Sequence, residues 1–307
     1  MIIAGARENR YNRPMFSDTH FHFEHSVQRG ADGPAALCAM AEQDCFFALD
    51  VGTKCDDLPA RQSSVEAAIA QMPDERLAAR AREFMRFTAG IWPDVNAIHE
   101  RDNHLALLQK MIASASCDDK TLRRKIVALG ECGIDHHWNP DGVDGRREDD
   151  FDQKTYTGER ELFEAQLDLA RRLSLPVIVH SRDAFADTMD CIKNVGYDNG
   201  IIHCYSYGID EARAFLDRGW YIAFGGAVTY NKKARLEAVQ NLLRFIPSDR
   251  LLCETDSPYL APVPMRGTVN TPANVKYVYD FIAATLGCTP ATLSDTVDKN
   301  IRRIFKL

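Results

Sequence analysis

Short apolar runs alternate with amphipathic stretches along most of this chain. Runs over 15–18, 45–51, 85–91, 126–130, 176–179, 200–203, 220–224 and 250–253 have the length and composition of buried strands. Between them lie segments of helical period. Thr157 is placed to cap a helix over 158–173, where Phe163, Leu167 and Ala170 share one face. Stretches 210–218 and 234–245 repeat the pattern, with Gly219 as a stop for the first. Eight such strand–helix units predict an α/β fold, a (β/α)8 TIM barrel in a single domain over 1–307. A doubly wound sheet is the alternative, but no G-x-G-x-x-G opens a helix after the first strand. Residues 1–14 read as an N-terminal extension. The aperiodic Asp/Arg-rich stretch within 136–157 reads as an insertion at the barrel rim.

Composition narrows the class without naming it. Hydrophobic residues make up 45% and charged residues 26%, ordinary values for a globular protein. No apolar run approaches the length of a bilayer span, so no membrane partner is expected. The first residues carry neither an apolar signal core nor a small-residue cleavage site. Cys45, Cys132, Cys204 and Cys253 sit in apolar runs without C-x-x-C spacing, which predicts reduced, buried thiols and a cytoplasmic location. A net charge of −7 gives no long-range attraction for nucleic acid, so a polyanionic substrate needs positive charge supplied locally. No protein partner is predicted.

Candidate chemistry gathers at strand ends, where barrel enzymes carry their catalytic groups. The first strand runs into Asp18-Thr19-His20-Phe21-His22, and a spacing of two puts both imidazoles on one face. The fourth run continues Gly130-Glu131-Cys132-Gly133-Ile134-Asp135, with a carboxylate at the rim. The fifth ends at His180, the sixth at His203 and the eighth at Glu254-Thr255-Asp256. One rim histidine is ordinary. Four of them with two carboxylates, on five strands, predict a metal centre. His99 and His104 read as surface residues of a helix, and His25, His136 and His137 as loop residues near the rim.

These segments, with His180-Ser181-Arg182-Asp183-Ala184, His203-Cys204-Tyr205-Ser206 and Glu254-Thr255-Asp256-Ser257-Pro258-Tyr259-Leu260-Ala261-Pro262, resemble the signatures of the TatD family of metal-dependent deoxyribonucleases. Arg266-Gly267 with Asn270 and Pro272 is similar to its C-terminal pattern, and the likeness runs in order from about Met15 to the end. The resemblance implies an amidohydrolase-like barrel with one or two divalent ions that cleaves phosphodiesters, often from a 3′ end. It implies His20, His22, Glu131 and Asp256 around one ion, and Glu131, His180 and His203 around a second. A carboxylate bridging two cations suits in-line displacement at phosphorus, and Asp256 beside the attacking water can accept its proton. Glu131 and Asp256 are therefore the expected catalytic pair, and the expected cofactors are two divalent ions, Mg, Mn or Zn. The expected substrate is single-stranded DNA or RNA, and its expected contacts are Arg182, Tyr205 and Trp92.

Three departures from the family pattern bear on substrate choice. Gly90-Ile91-Trp92-Pro93 stands where the family has Gly-x-His-Pro, so an indole replaces an imidazole. Tyr207 precedes Gly208, where the family shows aromatic-Ser-Gly. The segment after Asp135 is longer and more acidic than usual: Asp141, Asp144, Glu148, Asp149, Asp150 and Asp152 outnumber Arg146 and Arg147. Charge repulsion from such a loop is expected to favour strand ends or short fragments. The alternative function is a lactonase, amidase or phosphotriesterase on the same scaffold. Many of those bridge their metals with a carbamylated lysine at the fourth strand, where this chain has Glu131.

Overall fold

The computed structural model describes residues 15–117, 126–137, 152–230 and 233–307. The N-terminal extension and most of the expected rim insertion, including every residue of the acidic cluster but Asp152, lie outside them.

Eight strands follow one another around a single parallel sheet: β1 Asp18–Phe21, β2 Ala48–Asp50, β3 Met85–Ala89, β4 Ile126–Asp135, β5 Val177–Arg182, β6 Gly200–Ile202, β7 Tyr221–Phe224 and β8 Leu251–Cys253. Helices connect them, as parallel pairing requires. The sheet closes into a barrel where β8 returns to β1. There the Phe21–Ser257 bridge is joined by bonds from Asp256 N–H to the His20 carbonyl (2.8 Å) and from His22 N–H to the Ser257 carbonyl (2.7 Å). Most strand residues are fully buried and the main core fills the space between barrel and helices. No helix among the described residues is long and apolar enough to cross a membrane.

Two strands differ from the sequence expectation, and both differences move the chemistry. β1 begins at Asp18, where the apolar run suggested an end. Its polar residues survive full burial because Asp18 accepts from His20 N–H, Thr255 N–H and Thr255 Oγ1. Met15 to Ser17 instead serve as a tether: Ser17 Oγ donates to Asp298 (2.6 Å) and the Ser17 carbonyl accepts from Tyr279 (3.0 Å). β4 continues past Gly130 to Asp135, and its register against β5 shifts between Leu129 and Cys132. Glu131 therefore lies within a bulged strand and not at its end. Glycines on either side make the bulge possible. Gly130 has φ +144°, and a Cβ there would meet the Ile178 carbonyl oxygen at 2.7 Å.

The helix expected over 158–173 starts earlier, at Gln153. Asp152, the last of the acidic run, is its cap and accepts from Thr155 N–H at 2.7 Å, while Thr157 lies one turn inside. A carboxylate at that position also meets the positive end of the helix dipole. The buried face of this helix includes Gln166, whose side-chain amide clamps the Ile91 backbone at both its N–H (2.8 Å) and its carbonyl (3.0 Å).

Candidate metal centre

Five strands and the residues that directly follow them deliver six side chains to one point inside the C-terminal rim. Glu131 is at its middle. One carboxylate oxygen, Oε2, lies 3.3 Å from His20 Nε2 and 3.4 Å from His22 Nε2, and these two nitrogens are 3.3 Å apart. The other, Oε1, lies 2.9 Å from His180 Nδ1 and 3.0 Å from His203 Nε2, themselves separated by 3.2 Å. Asp256 Oδ1 stands 3.7 Å from both His20 Nε2 and His22 Nε2. Trios His20–His22–Glu131, Glu131–His180–His203 and His20–His203–Asp256 each bring their donor atoms within 4.8 Å of one another.

Those spacings fit divalent cations. Donors about 2.0–2.2 Å from a shared ion stand roughly 3.0–3.6 Å apart in tetrahedral or octahedral coordination. Imidazole nitrogens facing one another with no donor between them are otherwise unfavourable when buried. Nitrogen and carboxylate oxygen together suit borderline ions and, through the oxygens, harder ones.

Three of the four imidazoles face a second group on their far side, whereas the buried His20 Nδ1 meets no hydrogen-bond partner among the described residues. His22 Nδ1 meets the Val51 carbonyl at 2.9 Å, His180 Nε2 meets Asp135 Oδ2 at 2.9 Å, and His203 Nδ1 faces Glu254 Oε1 at 3.6 Å. Such partners set ring orientation and raise donor strength. Asp135 and Glu254 carry these roles without having been singled out from sequence. Parity was the available signal for Asp135, because Glu131, Gly133 and Asp135 alternate onto one face of β4. Below the centre, Arg61 is buried against Asp50 (2.7 Å) and Asp57 (2.9 Å) and donates to the Thr88 carbonyl (2.7 Å). Asp50 in turn accepts from Phe23 N–H, next to His22.

Burial and charge divide the imidazoles. Desolvation lowers His20 to about 4 and His22 to about 3, which leaves both neutral and ready to donate lone pairs. Desolvation also opposes charge on His180 and His203. Hydrogen bonds donated by His180 to Asp135 and Glu131 outweigh it, raising His180 to about 9, and Glu131 with Glu254 holds His203 well above its ordinary value. Burial alone would push Glu131 up, but His203, His180 and His20 together keep it well below the usual carboxylate range. Burial raises Asp256 to about 7. A cation bound by His180 and His203 must displace protons, so uptake there weakens as pH falls.

Of the expected substrate contacts, Trp92 borders this centre, its ring centroid 5.8 Å from that of His180. Arg182 ends β5 with an exposed side chain at the open rim. Tyr205 is placed differently. It is 7% exposed, and its hydroxyl donates to the Gly208 carbonyl at 2.6 Å, so its phenol is committed to the barrel wall. Tyr207 ties the neighbouring rim loop instead, with its hydroxyl 2.8 Å from Ser181 Oγ and 3.1 Å from Ala184 N.

The profile of TatD-related DNases matches residues 17–306. The chain belongs to that family. Among its relatives is the uncharacterized metal-dependent hydrolase YabD of Bacillus subtilis, 32% identical over 256 residues, 81% of this chain and 90% of that one. The 3′-5′ ssDNA/RNA exonuclease TatD of a Rahnella strain is 31% identical over 252 residues, 80% and 84% of the two chains. In three dimensions it is similar to the TatD homologue YJJV of Escherichia coli, with a TM-score of 0.69, 22% identity and coverage of 95% and 98%. The barrel itself is shared more widely. A mutant PTE-like lactonase of Deinococcus radiodurans aligns with a TM-score of 0.60 at 15% identity, covering 96% of each chain. The TatD-family chain is a metal-dependent hydrolase.

Proposed function

We propose that this hydrolase cleaves phosphodiester bonds of nucleic acid, acting on single-stranded DNA from a strand end. The observation that carries the reading is Glu131, whose two oxygens face two separate groups of imidazoles. His20, His22, Glu131 and Asp256 hold one cation in this reading, and Glu131, His180 and His203 hold the other. Divalent cations there supply Lewis acidity, easing deprotonation of the attacking water and offsetting charge on the phosphoryl oxygens. Asp256, beside the first group, takes the proton of that water. Buried walls keep the imidazoles oriented and exclude bulk water from behind the reacting group. The relative named as a 3′-5′ ssDNA/RNA exonuclease supports the same substrate class.

The test is cleavage of 3′- and 5′-labelled single strands by protein stripped with EDTA and then restored with Mg²⁺, Mn²⁺ or Zn²⁺. Activity is expected to vanish on chelation and to return with metal, and Glu131→Ala is expected to lower the bound-metal count at both positions. Turnover of lactones or carboxyl esters without turnover of DNA would overturn the reading.

A further inference from the structure

A second cavity opens at the same rim, on the β2–β3 side of the centre. It is a cleft of about 600 Å³, within the roughly 300–1,000 Å³ of small-ligand sites. Thr53, Lys54, Ile91, Trp92, Asn96 and Leu107 are among the residues that line it.

The cleft is joined to the metal centre through its backbone. Gly52, next to Thr53, accepts from Glu131 N–H at 2.7 Å, and Trp92 N–H donates to the Thr53 carbonyl at 2.9 Å. Trp92 borders both spaces, since it lines the cleft and meets the ring of His180 edge-on. Its position is fixed from below by the double clamp of Gln166 on Ile91. A ligand part seated here lies one ring-width from whatever occupies the centre.

The chemistry of the lining selects what that part is. Asp56 and Asp94 also border the cleft, and carboxylates repel a phosphate. Leu107, on the helix Arg101–Cys117, is 48% exposed, one of few large apolar side chains so exposed among the described residues. An indole, an exposed leucine and the amide of Asn96, whose Nδ2 stands 3.4 Å from His104 Nε2 beside the same cleft, suit a flat, neutral, polar-edged ring.

We infer that this cleft is a nucleobase subsite, which seats the base of the nucleotide whose phosphate lies at the metal centre. The inference rests on the nuclease reading and deepens it: the protein recognises a base and not a bare phosphodiester. Stacking of this kind tolerates any of the four bases.

The experiment compares a fluorescein-labelled single strand with an abasic strand of equal length, by anisotropy in EDTA at low salt so that no turnover occurs. It is paired with inhibition constants of both strands against hydrolysis of a small chromogenic phosphodiester in metal. The base-bearing strand is expected to bind about 5- to 100-fold more tightly than the abasic one. Trp92→Ala and Leu107→Ser, the second a surface change that leaves the core untouched, are expected to bring that ratio toward one, and Trp92→Phe to retain most of it. A wild-type ratio near one, or a ratio that survives both substitutions, overturns the inference. DNA cleavage with a ratio near one defeats this inference alone. Failure to bind either strand or to cleave DNA defeats the nuclease reading and this inference with it.

Discussion

Glu131 and Asp256 are both carboxylates beside the same imidazoles, yet their surroundings give them opposite tendencies. Glu131 touches imidazoles with both oxygens and stays ionised, whereas Asp256 is 3.7 Å from the nearest two and burial raises it to about 7. Standing back from the imidazoles, Asp256 has an oxygen placed to accept a proton in the proposed reaction, where Glu131 has both oxygens engaged. Asp256→Asn keeps the shape and removes the acceptor, so kcat is expected to fall about 100-fold or more while strand affinity changes little. Stopped-flow kinetics beside a binding titration would show the split, and an equal loss of both would assign Asp256 to holding the ion alone. At this scale the sequence was informative because the donors are rare residue types at strand parity. The carboxylates behind them, Asp135 and Glu254, were harder to see. Their task is defined by what they touch, and Asp135 meets His180 from 45 positions away.

Strand and helix positions followed from apolar periodicity; strand ends did not. β1 and β4 run through polar residues because buried partners satisfy them, and a pattern of hydrophobicity cannot register a partner distant in sequence. Arg61 is the clearest case. It lies on the helix Leu58–Ala70, is 4% exposed and joins β2, β3 and the loop after β2 through Asp50, Thr88 and Asp57. Asp50 also holds the backbone at Phe23, so the guanidinium sets where His22 stands. Replacing it with an apolar residue strands a buried carboxylate. Arg61→Met is expected to cost about 3–5 kcal/mol in urea denaturation, and a loss under about 1 kcal/mol would show that Asp50 finds another partner. Arg61→Lys should recover part of the loss, because an ammonium matches only some of these contacts.

Across the whole molecule, the two ends of the chain share one structural task. The final helix, Pro290–Phe305, presents Asp298 to Ser17 at the entry to β1, and burial raises this carboxyl to about 7 despite that hydrogen bond. The folded protein thus holds the Asp298 proton more tightly than the unfolded chain does. Stability is expected to fall as pH rises from about 4 to about 7, at up to about 1.4 kcal/mol per pH unit for this one group. Asp298→Asn keeps an acceptor for Ser17 and should flatten that part of the slope in thermal melts. An unchanged slope would place its origin elsewhere.

The closure of the barrel has a consequence for how the protein is made. Asp18 and Thr255, which bond across the seam, are 237 positions apart, and three of the six donors, His20, His22 and Asp256, flank that seam. A ribosome delivers the first strand long before the last, and domains fold as their chain emerges. Until β8 has left the exit tunnel, His20 and His22 have neither Asp256 beside them nor a closed wall behind them. A chain that ends before β8 therefore lacks Asp256 and the closing wall, and is expected to be incapable of hydrolysis.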